Sequence, residues 1–215
     1  MSDAPFNRRT WLAGTALGAL ALGTAGCATA QADKSAAGMA PFQWTDQFGV
    51  LVGLPKNTSP LVNELVKYPR CRYCGMERAK FSHTRHLLVY EDDTVEGTCS
   101  LHCGAISLSL NMDRGPKAIY VGDAGSKDAT KPLVLADQAF YVIDASKPGT
   151  MTRVSKYAYA NKATADAAAA GEAAAKAGAK VVDFNAALTS AYLDMAQDTI
   201  RLRKMRGEAR RRMAG

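Results

Sequence analysis

Two closely spaced cysteine pairs stand out in this chain by residue type and spacing: Cys71-Arg72-Tyr73-Cys74-Gly75-Met76 and Cys99-Ser100-Leu101-His102-Cys103. A Cys-x-x-Cys loop turns two thiols toward one point, and Gly75 gives the backbone the freedom that the tight turn needs. Cys99 and Cys103 stand at i, i+4. A helix beginning near Ser100 would therefore present both on one side of its first turn, with the Ser100 hydroxyl as N-cap. The positive end of such a helix favours thiolate, the form that binds metal. If the pairs meet, they make a four-thiolate site built from a knuckle, a hairpin and a helix start. Zinc accepts such a closed tetrahedral set. Copper(I) prefers soft sulfur in low coordination number and also accepts a thioether. Met76 offers a thioether on the same loop, the competing role being core filler. His102 offers a neutral imidazole, the competing role being a capped helix histidine. Spacing alone leaves copper(I) and zinc open. Two disulfides, or a redox dithiol at 71/74, remain the rival chemistries, although no thioredoxin-like βαβ context follows the motif.

The rest of the chain offers no catalytic signature. Gly-x-Ser-x-Gly, the Walker loop and Gly-x-Gly-x-x-Gly are all missing. Gly75 stands where a covalent c-type haem motif needs histidine. Acidic residues are scattered in turns and nominate no acid–base pair, and His83 and His86 suit the edge of a strand better than a ligand set. The expectation is a binding protein, not an enzyme.

The elements that must position the thiols can be read from periodicity. Pro55, Pro60 and Pro69 punctuate a short helix over 61–68. His86–Tyr90 and Thr94–Thr98 form a hairpin about Glu91-Asp92-Asp93. A helix spans 101–110 by its apolar spacing, and a strand spans 117–121. The order repeats with strands at 139–143 and 156–160, an Ala-rich helix over 164–177 capped by Gly178, and a strand at 180–184. The fold class is therefore α+β, two tandem ββαβ units over about 71–125 and 135–184. A final helix over 185–212 packs through its first half.

The N-terminus and the charge distribution indicate compartment and partners. Arg8-Arg9 precede a mild apolar run, Trp11–Leu22, that ends in Thr24-Ala25-Gly26-Cys27. This is the layout of a twin-arginine lipoprotein signal over 1–26, with Cys27 as the lipidated first residue of the mature chain. The small polar residues 27–40 form a tether to a domain over 41–184. Residues 201–215 hold seven Arg or Lys against one Glu, so six of the seven net positive charges sit in this tail. Such a local tail argues against a nucleic-acid face. It leaves a solvated helix face, anionic lipid, or an acidic partner.

On these residues the chain resembles the NosL family, the lipoprotein accessory factors of nitrous oxide reductase. The resemblance rests on the lipoprotein signal at Cys27, on Cys71-x-x-Cys74-Gly75-Met76, and on the strand His86–Tyr90 leading into Cys99-Ser100. More loosely it takes in Gly149-Thr150-Met151, Tyr157-Ala158-Tyr159 and the Ala-rich helix before Val181-Val182-Asp183-Phe184. It implies the NosL/MerB-like fold of two ββαβ halves and copper(I) binding on the periplasmic side of the membrane. It also implies delivery to a periplasmic copper enzyme such as nitrous oxide reductase, through an ABC-type maturation complex serving denitrification. It associates ligation with Cys74 and Met76 and adds Met151 as a second-tier ligand. The extra cysteines of 99–103 and the basic tail depart from the family pattern. They leave room for another copper enzyme as client, or for a module stabilised by zinc.

Overall fold

His86-Leu-Leu-Val-Tyr90 is buried along its whole length, the mark of a central strand covered on both faces. The structure, a computed structural model, describes residues 53–214. The signal, Cys27 and the tether lie outside them. In chain order the elements are α1 (Glu64–Lys67), β1 (His86–Tyr90), β2 (Val95–Thr98), α2 (Leu101–Leu110), β3 (Pro116–Gly122), β4 (Leu133–Leu135) and β5 (Phe140–Asp144). They continue with β6 (Ser155–Tyr159), α3 (Lys162–Ala169), α4 (Glu172–Lys176), β7 (Lys180–Val182) and α5 (Phe184–Ala214).

The two expected ββαβ units are present with identical strand logic. β1 lies between β2 and β3, and β5 lies between β6 and β7, all antiparallel. The first hairpin turns at Asp93, whose φ is 62°, while Asp92 Oδ1 accepts the Thr94 amide at 3.0 Å.

Four details differ from the periodic reading. β4 extends the first sheet beyond β3, and three residues are too few to show alternation. The Ala-rich helix breaks at Gly171, whose ψ of 139° is not helical, and becomes α3 and α4. Phe184 opens α5 and does not close β7. The short helix near Leu61 shrinks to the single turn of α1. Gly178, at φ 71°, ends α4 as expected. Its amide bonds to Ala175 O and that of Ala179 to Ala174 O, a Schellman cap.

One apolar cluster joins the halves. Leu101 and Ala105 of α2, Val121 of β3, Tyr141 of β5, Ala158 of β6, and Ala187 and Ala191 of α5 are all buried within it. Small alanines on α5 let that helix approach both α2 and the second sheet closely. This contact carries the helix past the start of α2, where the second cysteine pair lies.

Candidate metal centre

The Cys71–Met76 loop closes on itself. Gly75 adopts φ 77°, its amide donates to Cys71 O at 2.8 Å, and the Cys71 amide donates to Met76 O at 2.9 Å. Tyr73, inside the motif, donates its hydroxyl to Glu96 Oε2 at 2.8 Å and so pins the loop to β2. Glu96 is fully buried, and burial raises its carboxyl above the usual range against the hydrogen bonds from Ser107 and Tyr73.

Behind the loop lies a buried ionic group. Arg78, fully buried, pairs with Glu64 at 2.7 Å and donates to the carbonyls of Tyr68, His86 and Thr98. Arg85 also pairs with Glu64, at 2.8 Å. Arg78 passes so close to β2 that a Cβ on Gly97 would stand 2.7 Å from its guanidinium carbon. This explains a glycine inside a central hairpin.

The second pair is held by α2. Ser100 is extended and its hydroxyl accepts the Cys103 amide, as an N-cap. Cys99 and Cys103 then face the loop. Cys99 Sγ lies 3.3 Å from Cys74 Sγ and 3.8 Å from Cys103 Sγ. The sulfurs of Cys71, Cys74, Cys99 and Cys103 all fall within 4.8 Å of one another, and none is in a disulfide. Cys71, Cys99 and Cys103 are buried, whereas Cys74 is half-buried and forms the reachable edge.

Four adjacent thiols cannot all ionise together without a cation. Cys71 is held far below the ordinary thiol range by hydrogen bonds from Cys103, Cys74 and Cys99. Cys74 is lowered chiefly by Cys103. Cys103 is raised by its contacts with Cys71, Cys74 and Cys99; Cys99 is lowered by Cys103 but raised overall by Cys71, Cys74 and burial. A metal entering this group must displace protons from the deeper pair.

Met76 and Met151 both pack against the sulfur cluster. Met151 arrives from the second half on a tight loop at φ 68°, closed by the Gly149–Thr152 bridge. Thr84 Oγ1 lies 2.8 Å from both Cys99 O and Thr150 Oγ1, which ties that loop to the end of β2. The thioethers thus belong to the same neighbourhood as the thiols. His102 does not join the four-sulfur group. Its Nδ1 faces Asp198 Oδ2 of α5 at 3.6 Å, and burial holds the imidazole below its usual range despite that carboxylate.

Three residues of the surroundings had no sequence signal. Asp198 and Arg78 are ordinary charges in polar stretches until the fold buries them. Arg206 reaches back to donate to Cys74 O at 2.8 Å, although nothing in a basic tail indicates a target 132 residues away.

The family model for NosL matches residues 62–191, more than half of the chain. No curated protein is significantly similar to it. Among solved structures, the crystal structure of the copper chaperone NosL from Shewanella denitrificans is similar at 24% identity and a TM-score of 0.42. That alignment covers 54% of this chain and 87% of the other.

Proposed function

This chain belongs to the NosL family, and on that premise we propose that it is a metallochaperone, taking copper(I) on its sulfur centre and surrendering it to a copper enzyme outside the cytoplasm. The family is one of accessory binding proteins, and the chain is not an enzyme. The observation that carries the reading is the convergence of four unlinked thiols within 4.8 Å, with the thioethers of Met76 and Met151 packed beside them. Soft sulfur donors suit copper(I), which is stable in low coordination number and needs no complete tetrahedron. Transfer requires a ligand that an incoming donor can replace. Cys74, alone half-buried, is that ligand, and Met76 is the neighbour able to hold the ion while a thiolate leaves.

The remainder of the proposal concerns place and client. The twin-arginine signal and Cys27 anchor the domain by lipid on the periplasmic face. The recipient is nitrous oxide reductase or an ABC-type complex that matures it. Among the described residues no helix is long and apolar enough to cross a membrane.

The test is anaerobic titration of the reduced protein with copper(I) against a chromophoric chelator, alongside zinc. The expected outcome is one tightly held copper(I) that zinc does not displace. A second reading, a structural zinc knuckle, is favoured by the closed tetrad itself, since zinc also accepts four thiolates. Zinc binding that copper(I) cannot displace would replace the chaperone reading with that one.

A further inference from the structure

The tail of α5 does not simply run into solvent. Arg203, Arg206 and Arg210 stand at i, i+3 and i+7, on one side of the helix, and all three are exposed. That side faces the sulfur centre. Arg206 holds the Cys74 carbonyl at 2.8 Å. Arg203 and Arg206 line a groove of about 170 Å³, together with Cys74, Cys103 and Met151. The buried Cys103 lies at the depth of this groove and the exposed arginines at its rim. Arg72 is a further exposed cation within the Cys-x-x-Cys loop itself. The only acidic residue of 201–215 is Glu208. The way to the half-buried thiol is therefore bordered by the guanidinium groups of Arg203 and Arg206. Arg203, Arg206 and Arg210 all lie beyond the segment 62–191 that the family model matches.

We propose that this arginine rim is a docking face for an acidic protein, whose carboxylates surround the donor that receives the ion from Cys74. The proposal rests on the copper(I) chaperone reading and names the partner's chemistry. Charge complementarity selects the occupant. Guanidinium groups pair with carboxylates in forked geometry and steer encounter over a Debye length. A second copy of this chain would bring like charge to the same place. A lipid surface pressed on the rim would close the groove through which the ion must leave, whereas an acidic partner's own donor can enter it.

The experiment measures copper(I) transfer from the loaded full chain to two synthetic acceptor peptides. Both carry the same Met-x-x-Met motif, flanked in one by Glu and in the other by Gln. Transfer to the Glu peptide is expected to be about tenfold faster at low salt, the lower end of electrostatic steering. The advantage should vanish at high ionic strength. It should also vanish in the Arg203→Glu/Arg210→Glu variant, with Arg203→Gln/Arg210→Gln intermediate. Neither pair touches a sulfur, so chelator-measured copper(I) affinity should be unchanged. Equal rates to both peptides, or a ratio that neither variant alters, would overturn the proposal and leave copper(I) binding standing. Co-sedimentation with phosphatidylglycerol vesicles that charge reversal abolishes, without any Glu-peptide advantage, would assign the rim to lipid and overturn it too. Failure to take up copper(I) at all would instead remove the functional reading beneath it.

Discussion

His102 Nδ1 faces Asp198 Oδ2 at 3.6 Å, a buried approach just beyond hydrogen-bond distance between the helix that carries Cys103 and the C-terminal helix that covers it. Asp198 is 2% exposed and also accepts the Arg153 amide at 3.1 Å, so one carboxylate joins α2, the Met151 loop and α5. Asp198 thus stands between the sulfur centre and the basic tail.

Removing that carboxylate should loosen α5. Asp198→Ala leaves the Arg153 amide without its acceptor and Arg201 without its carboxylate, and should cost about 2–4 kcal/mol in urea unfolding at pH 7. Asp198→Asn keeps an acceptor for the amide and should cost about half as much. Thiol labelling of Cys103 should accelerate in the Ala variant. An unshifted unfolding midpoint would show that α5 is held by its alanine contacts alone.

Metal ligation should separate thiol from thioether. Cys74→Ser and Cys99→Ser each break the tetrad, and should weaken copper(I) by more than the roughly 100-fold that loss of an outer-shell partner costs. Met76→Leu keeps all four sulfurs. It should leave zinc affinity in place while weakening copper(I) about tenfold, equivalent to about 1.4 kcal/mol. Parallel titrations with the two ions read this ratio. Equal losses for both ions in Met76→Leu would make Met76 a packing residue only.

Stability should fall in mild acid because of His86. This histidine is buried, with Nδ1 2.9 Å from Thr84 O and Nε2 3.3 Å from Tyr141 OH. Burial, first of all, pushes its pKa down to about 4 from the ordinary 6.5. Between those values the unfolded chain binds a proton that the folded chain refuses. Stability is therefore complete above about pH 6.5 and declines as pH falls to about 4, by about 3 kcal/mol from this group. Urea midpoints across that range measure the slope, and His86→Gln should flatten it. A slope that persists undiminished in the variant would assign the effect elsewhere.

Gly97 should tolerate no side chain. A Cβ there would meet three atoms of the Arg78 guanidinium at 2.7–2.8 Å, and that side chain is fully buried with nowhere to swing. Gly97→Ala should cost about 1–3 kcal/mol as overpacking. The Arg78→Lys/Gly97→Ala pair should cost less than the sum of the two single changes, since the slimmer amine vacates the contact. A fully stable single variant would show that the Arg78 network can shift.

Much of the local structure was legible from the residues. The buried strand at 86–90, its Asp-rich turn, the Ser100 cap and the Gly178 cap follow from side-chain chemistry acting within a few residues. Where the reading missed, the signal was too short or too uniform. β4 has three residues, and the alanine run over 164–177 hides its own break at Gly171, because alanine favours helix on either side of it.

From the sequence alone came the donor set: four thiols in two spaced pairs, a thioether at Met76, and the local turns that aim each pair. Spacing could orient Cys71 with Cys74, and Cys99 with Cys103, because each pair lies within one turn of backbone. Whether the two pairs would meet was a matter for the hairpin between them and for the sheet it joins. The fold answered that by bringing Cys74 Sγ to 3.3 Å from Cys99 Sγ. It alone also turned His102 to Asp198, brought Met151 from the second half, and laid Arg206 on the Cys74 carbonyl. Contacts of that kind depend on where whole elements pack. No pattern within a few residues encodes the partner of a charge that only burial selects.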